Sequence, residues 1–188
     1  MKCVLSVAAV VLGLTCSSAM AGPASGSVRS KTGAILPKRA VAYVVRDDRD
    51  AAPRVEVLLT DAAIDLTRLR GELDPHRAAI NLEALRDHDY LLLWVAADGT
   101  VTMNATYSKT MTQYINDTEG GLMATFTVNT PEKIEGRVHS PVPLRSMDGA
   151  SYTIDVKFSA DVLAGPSPLA VAAVRRLTPT SRPTSSCR

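Results

Sequence analysis

Across residues 151–163 apolar and polar side chains alternate without a break: Tyr152, Ile154, Val156, Phe158, Ala160 and Val162 stand opposite Thr153, Asp155, Lys157, Ser159 and Asp161. A period of two belongs to a pleated strand with one dry and one wet face. The pattern recurs in "GLMATFTVN", through Leu122, Ala124, Phe126 and Val128, and in "KIEGRVHS", where Ile134, Gly136 and Val138 turn away from charged neighbours. Upstream, "RAVAYVVRD" and "RVEVLLTD" are β-rich runs separated by the turn-like "DRDAAP", and are expected to pair antiparallel. "YLLLWVAA" leads through Asp98-Gly99, a pair that favours a two-residue hairpin with positive φ at both positions. Beyond the turn, Val101, Met103, Ala105 and Tyr107 are expected on one face and Thr100, Thr102, Asn104 and Thr106 on the other.

Strands half-buried in this way belong to antiparallel sheets. With a short strand near Ser27, the pattern predicts an all-β fold, an antiparallel β-sandwich or flattened barrel of about seven to nine strands over residues 22–163. Residues 61–89, "DAAIDLTRLRGELDPHRAAINLEALRDHD", break the pattern. Leu66, Leu69 and Leu73 recur at helical spacing after Asp65, a candidate N-cap, so the insert is expected to be partly helical. A connection of this length is either a cover over one end of the sandwich or a functional loop.

The two ends differ in composition from the middle. Lys2 precedes an apolar run at residues 4–14 that closes on Ala19-Met20-Ala21, the pattern of a secretory signal peptide cut before Gly22. That run is shorter than the roughly twenty residues that span a bilayer, so no stable transmembrane segment is expected after cleavage. Residues 164–188 are basic and rich in Pro, Ser and Thr, and are expected to form a flexible tail. Removing the leader takes Lys2 from a net charge of +2, leaving +1, without the basic excess of a nucleic-acid binder. Cys3 and Cys16 leave with it, so Cys187 is unpaired within the chain and free to form an intermolecular disulfide. A periplasmic or secreted destination follows from the leader.

Catalytic motifs are missing: the chain has no Gly-x-Ser-x-Gly, His-Glu-x-x-His or Cys-x-x-Cys and no Gly-Lys phosphate loop, and nothing in it calls for a cofactor. Chemistry would have to be assembled across the fold. Asp61, His76 and His88 are the catalytic candidates, because a carboxylate at the end of "LLTD" and two imidazoles bracket the insert. Asp87, His88 and Asp89 are candidate oxygen and nitrogen ligands for a metal if they lie in a loop, since in a strand His88 would point away from both aspartates. Met111, Tyr114 and Ile115, in a long polar connection, are a candidate contact patch.

"VAYVVRDD", "RVEVLLTD", the Asp-Gly hairpin, "KIEGRVHS" and "YTIDVKFSADV" follow one another in an order that resembles an uncharacterised group of secreted bacterial β-sandwich proteins. In that group an Ala-Tyr strand, a Leu-Leu-Thr-Asp strand end, an Ile-x-Gly-x-Val strand and a closing Phe-x-Ala strand recur in this order. The resemblance implies a β-sandwich and no particular activity. The expected function is a non-enzymatic binding or envelope-associated module that engages a protein or envelope component through its loops. Two alternatives are a small hydrolase or metal-dependent enzyme centred on the insert, and an envelope subunit that pairs through a sheet edge.

Overall fold

The computed structural model describes residues 21–45, 53–70, 78–79, 82–107, 121–145 and 149–163, with the backbone alone for Arg68 and residues 103–107. The described residues form ten strands: β1 Gly22–Ser30, β2 Ala34–Ile35, β3 Arg39–Val45, β4 Arg54–Thr60, β5 Tyr90–Val95, β6 Val101–Tyr107, β7 Met123–Asn129, β8 Lys133–His139, β9 Leu144–Arg145 and β10 Ser151–Leu163. They make one sheet in the order β6-β5-β4-β3-β1-β10-β8-β7, with β2 on β1 and β9 on β10. All described pairings are antiparallel except a short parallel contact of Val162 with Ala42 and Leu163 with Tyr43. The sheet folds over itself as an all-β sandwich nearly closed into a barrel, and β6 and β7 are its end strands. The turn between β5 and β6 approaches the far end of the sheet, since a Cβ on Gly99 would lie 4.0 Å from the Phe126 ring.

The thirteen-residue β10 joins the two leaves. Its first part pairs with β1, β8 and β9, and its last residues run beside β3. Between the leaves lies one continuous core, with Val57, Leu59, Leu91 and Leu93 from the first and Ile134, Val138, Ile154, Val156 and Phe158 from the second. Burial of side chains this size contributes at most about 1.5–3 kcal/mol each. Along β10 every second residue from Tyr152 to Val162 is buried, as the alternation predicts.

The first leaf reads differently because it is buried on both faces. Residues 40–43, 56–60 and 91–93 are buried consecutively. Their outer face carries Val41, Tyr43, Leu58 and Leu92, packed against Ala62, Ile64, Leu66, Leu69, Ala79 and Leu85 of the insert. The insert is therefore a cover over the outer face of one leaf, rather than over an end of the sandwich. Among the described residues its helical character is found as single 3-10 turns at Leu66–Arg68 and Glu83–Leu85 and at Ala78 and Ala79. Asp65 caps the first of these, accepting from the Thr67 amide at 2.9 Å. Leu73 lies outside the described residues.

Three local expectations are revised. The Asp98-Gly99 hairpin is a three-residue turn: the Gly99 amide donates to the Ala96 carbonyl, Ala96 pairs with Thr100, and only Gly99 has positive φ, at 83°. This is the type I turn followed by a left-handed glycine that suits a three-residue loop. In β6 the register slips opposite Leu92 and Leu93, which pair with Ala105 and Met103, so a bulge interrupts the expected unbroken alternation. The short strand expected near Ser27 is the nine-residue β1, set in the middle of the sheet. Small residues make that position possible: at Gly26, φ is 103° and a Cβ would fall 2.1 Å from the Asp155 carbonyl oxygen.

Candidate functional site

Asp61 and His88 meet at the end of the first leaf. Thr60 closes β4 opposite Tyr90, the first residue of β5, so antiparallel register sets the residues just beyond them side by side. The Thr60 hydroxyl fixes the junction by donating to the Asp89 carbonyl at 2.8 Å while accepting from the Ala62 amide at 3.1 Å. Asp61 Oδ1 then lies 3.0 Å from His88 Nδ1, with the two side chains 38% and 44% exposed. With the carboxylate as acceptor, Nδ1 donates to Asp61, and Nε2 is the ring nitrogen left over. Among the described residues no hydroxyl or thiol is hydrogen-bonded to that imidazole. The pair has the base and the orienting carboxylate of a hydrolytic triad, with no nucleophile bonded to them among the described residues.

His76, Met111, Tyr114, Ile115 and Cys187 lie outside the described residues. Asp87 and Asp89 flank His88 in the turn before β5, and the Asp89 carbonyl is taken by Thr60. Among the described residues no group of three or more His, Cys, Asp or Glu side chains is placed to hold a metal ion.

A different surface offers more room. The outer face of the second leaf carries a groove of about 530 Å3. Register lays out its lining as two rows. Ser25, Lys157, Arg137 and Thr125 stand side by side across β1, β10, β8 and β7. Next to them Ser159 faces Glu135, and Thr127 is the extra residue of a bulge in β7, its hydroxyl 3.4 Å from the Glu135 carbonyl oxygen. Bulges of this kind redirect a side chain and are frequent beside binding sites.

The ionic contacts in and beside the groove are specific. Arg137 reaches Asp155 with two donors, Nε at 2.7 Å and Nη2 at 2.8 Å. These hydrogen bonds hold the Asp155 carboxyl below its ordinary range and the Arg137 guanidinium above its own. Glu135 is held below the usual carboxylate range by Lys133, 3.3 Å away, and then by the Ser159 hydroxyl at 3.2 Å. Lys157 makes no hydrogen bond or close ion pair among the described residues; its cross-strand neighbour is the cation Arg137, and at longer range its charge helps hold the Asp155 carboxyl down.

None of these groove residues stood out in the sequence, where alternate charges on a strand read as a solvated face. Glu135, Arg137, Asp155 and Lys157 were visible as a polar period of two, but the strand order that gathers them was not. A buried acid was also overlooked. Glu56 has no solvent exposure and accepts hydrogen bonds from the Tyr43 hydroxyl and the Trp94 indole on the adjacent strands. The Arg54 guanidinium lies 3.9 Å from the Trp94 ring centre.

No protein-family model, curated protein or solved structure matches the chain.

Proposed function

We propose that this chain is an exported binding module, periplasmic or secreted, that acts by holding a ligand rather than transforming one. The observation that carries the reading is the groove on the second leaf. Its volume, about 530 Å3, lies within the roughly 300–1,000 Å3 of small-molecule sites, and hydroxyl and charged side chains converge there from four strands of a rigid sheet. The described apolar side chains of the insert are spent on covering the first leaf.

Export is supported by the leader pattern, whose expected cut before Gly22 coincides with the first residue of β1. Cleavage there would leave every described strand intact. No helix among the described residues is long and apolar enough to cross a membrane.

The binding reading is tested by two-dimensional NMR of the full chain against a set of small polar fragments. Amide shifts are expected to converge on Ser25, Thr125, Arg137 and Lys157, and to vanish when Ser159→Trp fills the groove. Fragments that cluster elsewhere, or leave all amides unmoved, would overturn it.

A second reading, a small hydrolase, is favoured by the Asp61–His88 pair. It predicts ester hydrolysis above background that falls at least about a hundredfold in His88→Ala, the scale of a lost general base. Equal rates for the two proteins would dispose of it.

A further inference from the structure

The groove's charge pattern points to the class of ligand, an inference that rests on the binding reading above. Lys157 and Arg137 are directly opposed across β10 and β8. Like charges in that relation repel, and on a rigid sheet neither backbone position can yield. Arg137 escapes the conflict through its two-point contact with Asp155. Lys157, at the centre of the row, is left to share that same carboxylate at longer range, so two cations stand against one acid and the row carries one excess positive charge. On either side of the cation pair stand hydroxyls, Ser25 on β1 and Thr125 on β7.

We infer that the groove binds a saccharide bearing one carboxylate, whose negative charge sits on Lys157 and whose ring hydroxyls bond the flanking serine and threonine residues. One excess positive charge matches one anionic charge. A phosphate dianion would meet only half of its charge there, because Arg137 is already occupied by Asp155. Glu135, taken up by Lys133 and Ser159, opposes a second negative group and retains acceptor capacity for sugar hydroxyls. The hydroxyls of Ser25 and Thr125 both donate and accept, which suits a ligand whose own surface is mostly hydroxyl.

The test compares cellobiouronic acid with cellobiose, a pair with the same rings and linkage that differ by one carboxylate, and adds inorganic phosphate as a bare anion. Each is titrated into the full chain by calorimetry and followed by NMR. The acid is expected to shift the amides of Ser25, Thr125, Arg137 and Lys157, and to bind at least about tenfold more tightly than cellobiose or phosphate. Its affinity should fall as salt is raised. Lys157→Gln, an exposed substitution that relieves the repulsion with Arg137 and does not lower the thermal midpoint, should reduce acid binding at least about fivefold and leave cellobiose unaffected. Equal binding of acid and neutral sugar, phosphate binding as tight as the acid, or an indifferent Lys157→Gln would overturn the assignment, as would no binding of the acid. If polar fragments still converge on the groove, only the ligand class falls. If they avoid it, the binding reading falls as well.

Discussion

At position 56 a carboxylate sits without solvent between a phenol and an indole, on a strand flanked by both partners. Removing it deprives a buried phenol and a half-buried indole of their acceptor. Glu56→Ala should therefore cost about 3–5 kcal/mol, and Glu56→Gln, which keeps one carbonyl acceptor, about 1–2 kcal/mol, as read from urea unfolding midpoints. The exposed acid Asp155 behaves differently. Arg137 depresses its pKa in the folded chain, so the stabilisation is fully present above the unfolded value of about 3.9 and is lost as pH falls through the lower folded value. The stability difference between wild type and Asp155→Asn should hold constant from neutral pH down to about pH 5, then shrink below about pH 4. A difference that stays constant through about pH 3 would show that the Arg137 contact does not stabilise the fold.

The elements show how one strand pattern can conceal two environments. β10 alternates and is buried on one face, whereas β3, β4 and β5 read as nearly continuous apolar runs because the insert dries their outer side. Leu69 and Leu85, each 2% exposed, carry that cover. Leu69→Ala and Leu85→Ala should each destabilise by about 2–5 kcal/mol and raise binding of a hydrophobic dye below the unfolding midpoint. An effect under about 0.5 kcal/mol, the scale of surface substitutions, would show that the insert merely rests on the leaf. Asp65 illustrates a local signal that was legible: a capping aspartate was expected there and Asp65 caps, but the helix it was expected to start extends only through a single 3-10 turn.

Over the whole molecule, the pairings that close the core join distant parts of the chain. β1 lies beside β10 through contacts such as Val28 with Ile154, and β3 meets the end of β10 at Ala42 and Val162. Loop closure must be completed before these contacts contribute, which slows folding. Refolding after dilution from urea is expected on the millisecond-to-second scale, apart from proline phases, when followed by Trp94 fluorescence. Complete recovery within about 100 microseconds would imply a transition state built from the local hairpins alone.

By itself the sequence determined the alternation of the strands and hence an antiparallel all-β sandwich, because a side-chain period of two is a local property of extended backbone. It also singled out Asp61 and His88, since an acid at a strand end and an imidazole at the next strand start are both visible in one dimension. What tertiary structure alone decided is adjacency between strands that are not consecutive. The row Ser25, Lys157, Arg137, Thr125 draws on β1, β10, β8 and β7, separated by up to 132 residues between Ser25 and Lys157. No local pattern encodes that order, because it is set by which apolar faces bury one another. The groove, the covered face of the first leaf and the buried Glu56 all follow from that choice.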